Sequence, residues 1–320
     1  MTVLGNTTAK KQSGEMLALW ILLAVYAAAN VLPLFPHTFL PPVYAASQIV
    51  PAVVFAMIHG AKTYRPQGIL YFAAISLGVG YFMEVIGVHT GFPFGHYYFT
   101  DGMGPKLFLV PLLIGPAYLG MGYVAWTTAR VILSPDDTSG ELAGTRAVMF
   151  PLAASFIMVA WDFAIDPALS TVGHYWVWPQ GGAYFGVPVS NFLGWYLTNY
   201  LIYQLFVMRL KWRPETTGLL RLADGRVAVL FYAVCAAGSV LRVLPTAGPS
   251  AVDHPAGTVW SVNDINGACA LAAIFTMGAF VVLALARLAG RAPEFRLRSD
   301  HRYAASTTAS PQQDEVGKTR

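Results

Sequence analysis

Three carboxylates stand where a carboxylate is expensive. Glu84 and Asp162 each interrupt a long apolar stretch, and Asp166 lies at the edge of the second. An acidic side chain at the centre of a bilayer costs about 2.5–3.5 kcal/mol on insertion scales, and less near a helix end, so each asks for a reason. Asp162 and Asp166 are four apart and share a helical face. Asn191 and Trp195, with the same spacing, open the next apolar stretch at the same depth. The loops nearby are dense in rings: Phe92, Phe94, Tyr97, Tyr98, Phe99, Tyr175, Trp176, Trp178, Tyr184 and Phe185. Apolar surroundings favour the neutral form of a carboxylic acid, which is the form a general acid needs, and aromatic faces stabilise a transient cation. The combination points to acid chemistry on an oily substrate. Two plainer readings stand beside it. An interfacial aromatic belt explains many of the rings, and the acids could serve only as hydrogen-bonding partners between helices.

Other chemistries lack their residues. The seven histidines contain no pair closer than His89 and His96, so no metal site is expected. No predicted span holds a lysine for a Schiff base. Asp162-Phe-Ala-Ile-Asp166 mimics one of the two Asp-rich motifs of an intramembrane prenyltransferase, but no second pair matches it, and Asn263-Asp264 has no partner. No Gly-rich Lys-Ser/Thr nucleotide loop occurs. Cys235 and Cys269 fall within apolar stretches and read as small apolar residues.

The elements that must hold these groups follow from composition. Of 320 residues, 56% are hydrophobic and 11% charged, against roughly 45–50% and 25% in a soluble domain. The apolar blocks approach the roughly 20 residues that cross a bilayer. They predict spans over 16–35, 43–57, 69–87, 107–131, 147–165, 188–208, 227–243 and 265–288, the second kinked or tilted by Gln48 and Pro51. The fold class is thus an all-α, polytopic membrane bundle of about eight helices. Residues 1–15 form a cytoplasmic segment, 16–288 the membrane domain, and 289–320 a polar, disordered cytoplasmic tail. With the N-terminus inside, all of the 20 Lys and Arg except Lys106 and Arg242 fall on the inner side. Both termini are then cytoplasmic and the chain a multi-pass protein of the cell membrane. The net charge of +4 follows from a basic face on anionic lipid and calls for no nucleic acid. A cleaved signal peptide is the other reading of the first span; its long apolar run favours a retained helix.

Two loops look alike. Glu84 to Phe99 (EVIGVHTGFPFGHYYF) and Asp162 to Val177 (DFAIDPALSTVGHYWV) each place Gly-His-Tyr eleven positions after a carboxylate, at Gly95-His96-Tyr97 and Gly173-His174-Tyr175. Each leads through Val-Pro, at Val110-Pro111 and Val187-Pro188, into the next span. A repeat of helix hairpins, spans three and four over spans five and six, accounts for this and requires both loops on one face.

These residues also carry a family resemblance. Glu84-Val-Ile-Gly87, Thr90 to Tyr97 (TGFPFGHY), Gly104-Pro105 and Val110-Pro111 form a first signature. The second comprises Ala160-Trp-Asp162, Asp166-Pro167, Trp176, Gly182, Tyr184 to Pro188 (YFGVP) and Asn191 to Trp195 (NFLGW). Over about residues 75–200 the chain resembles the bacterial and haloarchaeal carotenoid-biosynthesis membrane proteins. The resemblance implies an end-group hydratase that turns the terminal C1–C2 alkene of an acyclic carotenoid into a tertiary alcohol without a cofactor. The substrate would be lycopene, gamma-carotene or a C50 carotenoid taken from the lipid phase, with other carotenoid enzymes as partners. The resemblance assigns no roles to individual carboxylates. On the residues alone, Asp162 is the acid and Glu84 its partner, an assignment that could be reversed, while Asp166 and Asn191 position water or hold the acid. Trp161, Tyr97, Trp176 and Trp195 line the pocket with His96 and His174. A carotenoid- or lipid-binding protein or transporter without catalysis is the rival, as is a prenyl-transferring carotenoid enzyme. A transporter would carry polar groups through the full depth of its helices, whereas here they are expected on one side, which favours a one-sided site.

Overall fold

The computed structural model describes residues 2–34, 41–134, 142, 144–213, 222–244 and 248–290. Almost all of the expected polar tail, from residue 291 on, lies outside the described residues.

Backbone groups in hydrocarbon must bond within their own segment, and the apolar stretches accordingly fold as helices. They are α1 (Thr2–Val31), α2 (Pro41–Thr90), α3 (Ile114–Leu133), α4 (Arg146–Pro167), α5 (Val189–Trp212), α6 (Leu222–Leu241), α7 (Val262–Ala272) and α8 (Gly278–Gly290). A π-helical turn, Ala168–Val172, extends α4, and another, Ala273–Met277, joins α7 to α8. Among the described residues, four stretches are long and apolar enough to cross a membrane: Ser13–Val31, Pro41–Thr90, Arg146–Val172 and Val262–Gly290. The protein is a helical membrane protein.

The second predicted span does not break where expected. Pro51 sits inside α2, and the interruption falls at Arg65, with φ 56° and ψ 165°. Pro66 dictates this, because proline drives the preceding residue out of the α region and lacks the N–H that would continue the ladder. The two arms, 41–64 and 66–90, fold back so tightly that a Cβ on Gly60 would meet the Ile69 side chain at 2.4 Å.

Hydropathy also misplaces the start of α3. Apolar residues from Leu107 onward read as helix, yet Lys106–Leu107 (β2) and Val110–Pro111 (β3) pair antiparallel. Phe108 and Leu109 turn between them at φ 47° and 68°, the paired positive φ values of a type I′ hairpin. In the second loop Tyr184 bridges Val187, with Phe185 and Gly186 turning at φ 49° and 90°. The two loops also pair with each other. Tyr98–Phe99 (β1) runs antiparallel to Trp176–Val177 (β4), with Tyr98 opposite Val177 and Phe99 opposite Trp176, so both cap the same end of the bundle. A third hairpin, Ala251–Asp253 (β5) with Val259–Ser261 (β6), reaches this cap where Trp260 packs edge-on against Phe185 at 5.1 Å.

The core centres on α3, in which every residue from Ala117 to Val131 is buried. Its packing is heaviest against α2, as α4 packs on α5. At the end of α3 away from the loops lies a second polar cluster. His59 Nδ1 meets the Tyr123 hydroxyl at 2.7 Å, and the Tyr64 hydroxyl accepts from Trp126 (2.7 Å) and Arg130 (3.0 Å). Buried polar groups are therefore not confined to one side.

Candidate active site

Helical spacing puts Asp162 and Asp166 on one face of α4, just before Pro167 and the π turn end it. Pro188 starts α5 so that Asn191 falls in its first turn. A carboxamide nitrogen carries two hydrogens, and Asn191 uses both. It donates to Asp166 Oδ2 at 2.5 Å and to Asp162 Oδ2 at 3.2 Å. Trp176, held by its register with Phe99, donates Nε1–H to Asp166 Oδ1 at 2.6 Å. Asp166 thus has a donor on each oxygen, whereas Asp162 has one long bond.

Glu84, near the end of α2, is 3% exposed. It accepts from two phenols, Tyr97 at Oε2 and Tyr118 at Oε1, the latter at 2.8 Å. The Tyr118 ring lies flat on Trp195, centroids 4.4 Å apart, and Trp161 stands edge-on to Trp195 at 6.0 Å. Trp195, stacked on the Tyr118 that holds Glu84, lines the same cavity as Asp162, which sets the two acids at one end of the bundle.

A cavity of about 100 Å³ opens beside this group. Asp162, Trp161, Trp176 and Trp195 line it; Glu84, Asp166, Asn191, Tyr97 and Tyr118 do not. The expectation that Tyr97 lines the pocket is corrected accordingly: it holds Glu84 from behind. His96 and His174 are exposed on the loops and line no part of the cavity, because the β1–β4 ladder turns the adjoining rings inward and leaves the imidazoles outside.

Two participants escaped the sequence reading. Tyr118 belongs to no motif and sits in the continuous apolar run of α3. Arg242 lines the cavity and donates to the Tyr44 hydroxyl at 3.0 Å; with Lys106 it is one of the two basic residues that the charge count leaves on the outer side, which could have drawn notice. Among the described residues no group of three or more His, Cys, Asp and Glu is placed to hold a metal ion. The arrangement offers one carboxyl facing an aromatic-walled cavity, with a second acid joined to the same wall through a tyrosine.

No solved structure matches the chain. Bisanhydrobacterioruberin hydratase of Haloarcula japonica is 28% identical over 133 residues, 39% of this chain, and the match covers only 40% of that relative's own length. The family described as carotenoid biosynthesis protein matches residues 44–249. That range runs from α2 into the segment after α6 and takes in every carboxylate, ring and amide of the site. It is more than half of the sequence, and the chain belongs to the carotenoid biosynthesis protein family.

Proposed function

We propose that the protein is a carotenoid hydratase, adding water across the terminal C1–C2 double bond of an acyclic carotenoid. The observation that carries this reading is Asp162, a buried carboxyl on a cavity walled by Trp161, Trp176 and Trp195. The name of the Haloarcula relative supports it. Protonation by Asp162 at the less substituted alkene carbon leaves a tertiary cation, which the indole faces stabilise. Water then forms the C–O bond and gives up its proton to the Asp162 carboxylate that faces it, yielding the tertiary alcohol and restoring the acid. Glu84, held by Tyr118 behind the Trp195 wall, is the partner acid that orders that wall. Asp166 and Asn191 hold Asp162 in place.

The same reading sets the chain in the cell membrane with about eight spans and both termini cytoplasmic. It treats the two helix hairpins as a duplication. Equivalent positions pair in each turn, Leu107 with Val110 and Tyr184 with Val187, and the loops meet in a two-fold ladder.

Expression in a lycopene-producing bacterium tests the activity. Product heavier by one water is expected from the native protein, and Asp162→Asn should abolish it without loss of membrane insertion. Normal hydration by Asp162→Asn would overturn the assignment. Conversion without added Mg²⁺ or a prenyl diphosphate separates hydration from prenyl transfer. The His59–Tyr123 and Tyr64–Arg130 contacts favour a second reading, a carotenoid or lipid carrier with polar groups at both ends. In that case pigment would be bound and recovered unchanged.

A further inference from the structure

The acid cavity has room for only a handful of water-sized groups, enough for an end group but not for the polyene behind it. A conjugated polyene is a stiff rod, so the rest of the chain has to leave in a nearly straight line. On the exposed face of α2 and α3 a much larger groove, about 580 Å³, runs beneath the β2–β3 turn. Leu77, Gly78, Tyr81, Phe82, Leu107 and Phe108 are among its walls, and no charged residue lines it. Phe82 and Phe108 are 62% and 67% exposed. Both Phe108 and Leu109 hold a left-handed backbone that suits neither. The Tyr81 hydroxyl pins that turn by donating to the carbonyls of Leu107 (2.6 Å) and Val110 (3.0 Å). Strained turns of this kind gather at ligand clamps.

The first turn of α3 separates groove from cavity. Gly115 and Pro116 line the groove, while their neighbours Ile114 and Ala117 line the cavity. We propose that this groove binds the linear polyene chain of the substrate, its end group passing the first turn of α3 to reach Asp162. The proposal rests on the hydratase reading for the end group and adds the site of the hydrocarbon chain.

Gly78 provides the test, because a Cβ there meets nothing within 4 Å. A larger side chain grows into the groove rather than into the protein, and it favours the helix relative to glycine. Gly78→Leu and Gly78→Trp, made in the full chain and placed in nanodiscs, should raise KM for an acyclic polyene about tenfold or more with little change in kcat. The loss should be smaller for a short isoprenoid with the same end group. Leu283→Trp, on the exposed face of α8, should change neither. Retention of polyene absorbance by the purified protein is the second readout and needs no turnover. Equal KM and equal retention in native protein and Gly78→Trp would overturn the groove, leaving only lipid against it. Retention lost in Gly78→Trp, in a native protein that converts nothing, would keep the groove and sink the hydratase. A native protein that neither retains nor converts polyene overturns both.

Discussion

The hydroxyl of Tyr118 donates a 2.8 Å hydrogen bond to Oε1 of Glu84. The tyrosine also stacks on Trp195, so it is the bridge between an acid outside the cavity and the cavity wall. Tyr118→Phe keeps the stack and removes the bond. A buried acceptor left without its donor costs about 1–3 kcal/mol. Hydration should slow by about tenfold or more, at a transition-state cost of at least about 1.4 kcal/mol, with the protein still inserted. Product formation per milligram of purified membrane protein measures it, and an unchanged rate would exclude a role for the Tyr118–Glu84 pair in the reaction.

Asn191 serves two carboxyls with one nitrogen. Asn191→Leu withdraws both donors and should destabilise the protein by about 1–3 kcal/mol. Asn191→Asp adds an acid to a cluster already holding three and should be worse. Thermal unfolding in detergent ranks the two; an Asn191→Asp protein as stable as the native one contradicts the assignment.

Trp176→Phe retains an aromatic wall and deletes the Nε1–H bond to Asp166. Its activity should fall less than that of Asp162→Asn, since Asp166 keeps its bond from Asn191 and does not face the cavity. Equal losses in the two variants would place Asp166, not Asp162, at the reacting end.

Close backbone approach holds α2 on α3. A Cβ at Gly120 would lie 2.8 Å from the Ala52 Cβ and 2.9 Å from the Val53 nitrogen. Backbone cannot rotate aside as a side chain can, so Gly120→Val should cost about 1–3 kcal/mol or more. Lower yield of folded protein and a lower Tm are expected, whereas Gly78→Ala should leave both intact.

His254, in the turn of the third hairpin, is 6% exposed and packs against Gly186. Burial, with His174 nearby, holds its imidazole below the usual value of 6.5. The unfolded chain therefore takes up a proton first as pH falls through 6.5, and the loop end loses stability below that value. Protease cleavage of the loops should quicken on acidification from pH 7 to 5. His254→Gln should flatten the pH dependence, and an unchanged slope in that variant would assign the effect elsewhere.

Much of this protein is legible without a structure because hydrocarbon permits so few solutions. A chain with so few charges must bury its backbone in helices, and an acid in such a helix declares itself by its cost. Glu84, Asp162 and Asp166 stand out on those grounds alone, Asn191 and Trp195 by their four-residue spacing at the same depth, and the paired Gly-His-Tyr loops on spacing. Tertiary structure decided what one-dimensional hydropathy cannot carry. It made Leu107 to Leu113 part of a turn and not a helix, since positive φ at Phe108 and Leu109 leaves no hydrophobic trace. It put Tyr118, from an unremarkable apolar run, between Glu84 and Trp195, and turned His96 and His174 outward. Which carboxyl meets the cavity depends on side-chain direction across helices far apart in sequence, and only packing sets that.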